Sequence, residues 1–313
     1  MMNNTILGLH HITAIAGQAQ RNYDFYTKVL GLRLVKKTVN FDDPGTYHFY
    51  YGDEVGTPGS ILTFFPWEGV RPGRTGTGMA TEIGYSVPAG SLEFWKKRLQ
   101  EHHVKHKPVS KNFDEQYLQL EDPDGLILNL VEAKAADDRK PWTTEEVKPE
   151  VAIRGFHSVV LTLRSAEATA KVLTDIFGYQ LLDREGNRFR YITHAVSTAN
   201  IVDIIEEPNG APGYNAGGTN HHVAFRVKDD SIMMQIREKV KSAGLHITEK
   251  IDRNYFYSLY FREPGGVLFE IASDNPGFAT DESVEELGTH LMLPPQYESS
   301  RKKIEEILPQ LQQ

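Results

Sequence analysis

The sequence predicts an α+β protein of four βαβββ modules arranged as two pairs, and two internal repeats and one polar linker carry that expectation. "GLHHITAIAGQAQRNYDFYTKVLGLRLV", from Gly8, aligns with "GFHSVVLTLRSAEATAKVLTDIFGYQLL", from Gly155. Glycines, the first histidine, the helical stretch and a glycine stop before the next strand all coincide. A second unit also occurs twice. "MATEIGYSVPAGSLEFWKKRLQEHH" ends in "LEDPDGLILNLVE", and "TNHHVAFRVKDDSIMMQIREKVKSAG" ends in "FREPGGVLFEIAS". Repeats of this length mean that each unit is a supersecondary block unable to bury its own apolar face.

The elements follow in order. Each unit reads as strand, turn, amphipathic helix, glycine stop and further strands. Tyr23, Tyr26, Val29 and Leu30 fall at helical spacing, and Gly31 suits the positive φ that ends a helix. "DPDG" and "EPGG" read as tight turns joining two strands. "AKAADDRKPWTTEEVKPE" is polar, charged and without apolar period. The expected organisation is a two-module domain at 1–135, a linker at 136–150, a second two-module domain at 151–276 and a tail at 277–313. "YESSRKKIEEILPQLQQ" in that tail reads as a helix outside the repeat, and "TDESVEELG" as a solvated helix start.

Composition excludes several classes. A chain of 313 residues suits two domains of about 150 each. A net charge of -8 argues against nucleic acid and against an anionic membrane surface as partners. The absence of cysteine removes disulfides, thiolate nucleophiles and Cys-ligated metals. The start "MMNNTILGLH" lacks the regions of a signal peptide, and no apolar run approaches the roughly 20 residues of a membrane span. A cytoplasmic protein is expected, as a monomer or a homo-oligomer. "RPGRTGTGMA" follows no strand–loop–helix nucleotide pattern and is expected to be a mobile loop rather than a phosphate cradle.

Two strands carry tandem histidines, His10–His11 and His221–His222. On a regular strand neighbours point to opposite faces, so each pair offers one imidazole to each side. The repeat narrows the choice. His10 matches His157, but His11 matches Ser158; His222 matches Glu82; Glu270 matches Asn129. One set, His11, His222 and Glu270, is a two-histidine-one-carboxylate group that binds Fe(II) or Mn(II) and leaves positions open. The other, Ser158, Glu82 and Asn129, cannot hold such a metal well. A register slip of one residue would instead make His10 or His221 the ligand. The shared His10/His157 position also fits a packing or hydrogen-bonding role. Glu270 lies among Val267, Leu268, Phe269 and Ile271, so it is expected to be buried and to need a charge partner or a metal. His48, His102, His103, His106, His194, His246 and His290 are read as structural.

"YFREPGGVLFE", Tyr260 to Glu270, together with "LHHIT", resembles the signature of the extradiol ring-cleaving dioxygenases of the vicinal oxygen chelate superfamily. The resemblance spans nearly the whole chain and implies paired vicinal-oxygen-chelate domains, each a cupped mixed sheet with flanking helices. Where the signature usually has a histidine before its Tyr, this chain has Arg253. That departure resembles the hydroquinone 1,2-dioxygenase branch, of the bacterial quinone-detoxification type, and implies para-diol rings opened with O2 at Fe(II), or Mn(II). Tyr260 is then a hydrogen-bond donor to the bound hydroxyl or oxygen. Arg253, which stays cationic, stabilises anionic charge. His10 and His221 orient the ligands or move protons, and Thr13 hydrogen-bonds within the pocket. Tyr255 and Tyr257 fit a cavity-lining position equally well. The same superfamily also offers catechol dioxygenases, glyoxalase-type isomerases, thiol transferases and non-catalytic sequestering proteins.

Overall fold

Residues 6–313 are described by a computed structural model. The first module supplies β1 (Leu9–Ala16), β2 (Arg33–Asn40), β3 (Asp43–Gly52) and β4 (Ile61–Pro66). The second supplies β5 (Met79–Val87), β6 (Ser110–Asn112), β7 (Glu115–Glu121) and β8 (Ile127–Glu132). The third gives β9 (Gly155–Leu163), β10 (Gln180–Glu185), β11 (Arg188–Ile192) and β12 (Ile201–Glu206). The fourth gives β13 (Thr219–Val227), β14 (Ile251–Asp252), β15 (Phe256–Arg262) and β16 (Leu268–Pro276). Helices α1 (Ala19–Asp24), α2 (Leu92–Glu101), α3 (Glu167–Lys171) and α4 (Asp230–Ser242) occupy the expected places, one per module.

The strands form two eight-stranded mixed sheets, ordered β14-β15-β16-β13-β1-β4-β3-β2 and β10-β11-β12-β9-β5-β8-β7-β6. The first module therefore shares a sheet with the fourth, and the second with the third. Leading strands explain this. Every residue of β1 and of β9 is buried, so each of these strands must be covered on both faces and flanked on both edges. They satisfy that at sheet centres, β1 antiparallel to β13 and β5 antiparallel to β9. Neither sheet is confined to 1–135 or to 151–276. Residues 136–150 join two modules of one sheet and are packed: Val147 is fully buried, and Arg139 donates to the carbonyls of Gly59 and Phe156 at 3.2 and 2.9 Å.

The crossings between sheets are the loops after β4 and β12, and they pair with each other. Arg74 N–H donates to Tyr214 O at 3.0 Å and Gly213 N–H to Thr77 O at 2.9 Å. A Cβ on Gly76 would meet Ala211 O at 2.5 Å, so its glycine serves close backbone approach. "RPGRTGTGMA" is thus pinned into a backbone ladder, a correction of the expectation of a mobile loop.

Both first-type modules end their helix in a π-turn, Phe25–Val29 and Val172–Ile176, followed by glycines at φ 69° and 78°, Gly31 and Gly178. The sequence period anticipates the helix and its stop, but not the extra residue in the turn. Among the described residues no helix is long and apolar enough to cross a membrane. In the tail, α5 (Arg301–Ile307) lies within the expected helical stretch. "TDESVEELG" is not a helix start. Asp281 and Glu282 pair with Lys36 Nζ at 2.6 and 2.5 Å, and the Lys36 side chain is fully buried. The tail is held against β2 by this buried ammonium.

Candidate metal centre

β1 and β13 bring the tandem histidines together through two irregularities. Leu9 pairs with Phe225 and His11 with Ala224, so His10 is an extra residue in β1. Thr13 pairs with His222 and Ala14 with Asn220, so His221 is an extra residue in β13. Such bulges re-aim side chains beside active sites. Strict alternation would separate each pair. Instead His10 Nδ1 lies 2.9 Å from His11 Nδ1, and His221 Nδ1 lies 2.8 Å from His222 Nδ1. The outer ring of each pair thereby fixes the inner ring and leaves its Nε2 free to face Glu270.

Glu270 sits on β16 beside Ala224 of β13 and is fully buried. Its Oε1 accepts from Ser258 Oγ at 2.5 Å. Its Oε2 lies 3.2 Å from His11 Nε2 and 2.9 Å from His222 Nε2, and the two Nε2 atoms are 3.4 Å apart. No hydrogen bond is aligned on Oε2. An orphaned buried carboxylate oxygen between two imidazole nitrogens is a donor set suited to a cation. Three donors at right angles around a first-row ion at about 2.1 Å lie about 3.0 Å apart, so the observed spacing needs little adjustment. Among the described residues this is the one group of three or more potential ligands so gathered. Burial raises the Glu270 carboxyl, but the two histidines outweigh it and hold it well below the usual range. Burial lowers the His222 imidazole and pushes His221 down to about 4.

The centre opens on a cavity of about 260 Å³ lined by His11, His222, Thr13, Arg253, Tyr260 and Phe256, among others. The Arg253 guanidinium carbon stands 5.4 Å from the centre of the Tyr260 ring. Tyr260 pairs in register with Glu270. Burial and Glu270 push its hydroxyl up, so it stays protonated and able to donate. Burial alone would lower Arg253, but Tyr260, Asp42 and Glu270 outweigh that and raise it further.

Not every expected residue faces this cavity. His10 is buried behind it, with Nε2 3.2 Å from Ser273 O. Tyr255 lies behind the sheet with His10 and donates to Asp281 at 2.9 Å. Tyr257 packs against Lys250, whose Nζ is 4.3 Å from its ring centre. His48, which reads as structural in the sequence, lines the cavity with Tyr50. The signal is present: in "TYHFYYG" the residues Tyr47, Phe49 and Tyr51 alternate with His48 and Tyr50, and the first three are core.

In the second sheet the matching positions carry no ligand set. Asn129 Nδ2 donates to Glu82 at 2.7 Å and Gln119 donates to Asn129 Oδ1 at 3.1 Å, which ties the carboxylate into an amide network. The bulges persist there at Thr81 and His157, so they belong to the fold and the side chains alone make the metal group.

Comparison with known proteins identifies the family. The model of the "Glyoxalase/Bleomycin resistance protein/Dioxygenase superfamily" matches residues 8–130 and 155–271. The chain is 47% identical over 305 residues to "Putative ring-cleaving dioxygenase MhqO" of Bacillus subtilis, covering 97% of this chain and 96% of that one. It is 36% identical over 303 residues to the chlorohydroquinone/hydroquinone 1,2-dioxygenase of Sphingobium indicum, covering 95% and 94%. The crystal structure of a "putative dioxygenase" from Bacillus subtilis superposes with a TM-score of 0.95 at 46% identity, over 99% and 98% of the chains. Glyoxalase I of Zea mays shares the fold alone, at TM-score 0.62 and 15% identity over 85% and 92%. The chain belongs to the glyoxalase/bleomycin resistance protein/dioxygenase superfamily, beside relatives named as ring-cleaving dioxygenases.

Proposed function

We propose that the chain is a ring-cleaving dioxygenase that opens hydroquinones with O2, using Fe(II) held by His11, His222 and Glu270. The observation that carries this reading is the orphaned Glu270 Oε2 between two imidazole nitrogens, on a cavity that also presents Arg253 and Tyr260. Fe(II) at such a site supplies Lewis acidity toward a phenolic oxygen and electron exchange with dioxygen; Mn(II) suits the same donors. The name of the Sphingobium indicum relative supports the substrate class, and that of the Bacillus subtilis relative the ring cleavage.

The chain's own residues then have defined work. His10 and His221 hold the inner imidazoles by their Nδ1 atoms, so that Nε2 is presented without rotation. Ser258 fixes the carboxylate by its Oε1 and leaves Oε2 for the cation. Tyr260 donates its hydroxyl hydrogen to oxygen bearing negative charge, and Arg253 stabilises that charge without losing its proton. Phe256, Phe65 and Trp67 give the ring an apolar slot.

The test is oxygen uptake by anaerobically prepared, Fe(II)-loaded protein given hydroquinones and, in parallel, catechols. Uptake confined to hydroquinones is expected. Preference for catechols would overturn the substrate class, and no uptake despite stoichiometric metal would favour an isomerase or thiol transferase of this fold.

A further inference from the structure

A hydrogen-bonded chain runs along the cavity wall from Tyr50 toward the metal group. Tyr50 Oη lies 2.9 Å from His48 Nδ1, His48 Nε2 lies 2.9 Å from Thr63 Oγ1, and Thr63 Oγ1 lies 2.8 Å from Thr13 Oγ1. Thr13 is two residues from His11 and pairs with His222, so this end adjoins the metal group. Tyr50 is on β3, two strands along the sheet from β1; Arg253 and Tyr260 come from the other end of the strand order, and the sheet curls so that Arg253 reaches Asp42, ahead of β3, at 3.6 Å. Tyr50, His48 and Thr13 all line the cavity. Thr63 and Tyr50 are buried, and every link joins atoms that can both donate and accept.

The second sheet lacks this device. Tyr50 pairs with Thr63, and Thr63 with Thr13; the matching register is Arg190 with Asp203, and Asp203 with Val160. There the positions form a closed ion pair, Arg190 to Asp203 at 2.9 Å. Packing of the cup alone thus does not require a hydroxyl–imidazole–hydroxyl chain.

We propose that Tyr50 receives the distal hydroxyl of a para-diol whose other hydroxyl is held at His11, His222 and Glu270, and that Tyr50, His48, Thr63 and Thr13 relay its proton toward the metal group. This rests on the dioxygenase reading above. The ring hydroxyl gives its proton to Tyr50 Oη as the Tyr50 proton passes to His48 Nδ1. The proton on His48 Nε2 passes to Thr63, and that of Thr63 to Thr13, whose own hydroxyl hydrogen leaves into the cavity. One proton enters and one leaves, no electron moves along the chain, and the acceptor is the dioxygen reduced by the ring. A catechol carries its two hydroxyls on adjacent carbons, so with one held at the metal group the other stays beside it rather than across the ring; Tyr50 is thus a specificity-determining residue and His48 a positioning one.

The test is anaerobic binding of hydroquinone and of phenol to Fe(II)-loaded wild type and to Tyr50→Phe, with metal content measured on both. Wild type should prefer hydroquinone by about fivefold, the worth of one hydrogen bond, and Tyr50→Phe should bind the two equally with phenol affinity unchanged. A wild type without that preference, or a Tyr50→Phe that keeps it, overturns the Tyr50 assignment. Thr63→Val keeps shape and interrupts the relay. It should keep the hydroquinone preference, lower kcat by about a hundredfold with little change in KM, and lose its solvent deuterium isotope effect. Unchanged kcat overturns the relay. Binding is read without oxygen, so failure of the dioxygenase reading, seen as absent oxygen uptake, is a separate result.

Discussion

Replacing Glu270 with Gln keeps the side chain's shape and removes its charge, and the consequence is best read as a metal-dependent shift in melting temperature. His11, His222 and Glu270 already hold their donors at 2.9, 3.2 and 3.4 Å from one another, so a cation finds a formed site and little ordering cost opposes binding. With free Fe(II) at a hundredfold above its Kd, the folded wild type gains about 2.7 kcal/mol. At about 2.1 cal/mol/K of unfolding entropy per residue over 313 residues, roughly 1.5 °C per kcal/mol, that is a rise of about 4 °C. Gln offers a neutral amide oxygen. If affinity falls a hundredfold, the same free metal leaves about 0.4 kcal/mol, a rise of less than about 1 °C. The assay is calorimetry of each variant with and without Fe(II) under anaerobic conditions. Taking the difference within each variant cancels any change in metal-free stability. A Glu270→Gln protein that keeps the wild-type rise would refute the assignment of the metal group.

Other expectations follow from the same geometry. Arg253→Gln should lower kcat/KM for hydroquinones by about 10- to 100-fold at unchanged metal content, since it removes a charged hydrogen-bonding partner; steady-state oxygen uptake checks this, and retained activity would return Arg253 to its exposed neighbour Asp42. Stability should fall as pH drops below about 6.5. Burial holds His10 and His48 well below their ordinary value and His221 at about 4, so the unfolded chain takes up protons that the folded chain refuses. Their full contribution is present above the unfolded value and is lost toward the folded values, at up to about 1.4 kcal/mol per pH unit for each histidine. Urea midpoints of metal-free protein between pH 7 and 5 measure this, and a flat profile would contradict it. Lys36→Met should cost about 3 kcal/mol, because it leaves Glu282, only 4% exposed, without its cation; thermal melting and faster proteolysis within 277–313 are the readouts.

Much of the site is legible because the chain contains its own comparison. Matching Gly8 to Gly155 separates His11 from Ser158, and the structure places His11, His222 and Glu270 in one group. What the repeat does not supply is long-range pairing. Module order along the chain carries no information on which leading strands meet, and β1 meets β13 rather than β5. The orientation of the tandem histidines escapes the sequence for a related reason. Alternation holds for a regular ladder, and a bulge is a property of two strands together, which one strand's sequence does not display. His48 escapes because a lone strand histidine reads as structural until the aromatic alternation around it is weighed. The acidic stretch after Thr280 reads as solvated because its partner, Lys36, is remote in sequence.

The second sheet shows what the cup becomes without the two histidines and carboxylate. Its floor is closed by charge pairing: Arg190 bridges Asp203 and Glu115, Arg188 reaches Asp203 at 2.8 Å, and His157 lies 3.1 Å from Glu115. The His157 hydrogen bond and the Arg190 guanidinium bring Glu115 down to about 2 against the opposing effect of burial. Each buried charge there has its counter-charge, as burial demands. The first sheet's cup departs from that rule at one atom, Glu270 Oε2, and surrounds it with groups that each have a partner: His10 on Ser273, His221 on His222, Ser258 on the other carboxylate oxygen. A fold able to neutralise its cup in one sheet leaves a single donor set open in the other. That contrast, within one chain and on one backbone plan, separates a site from a packing solution.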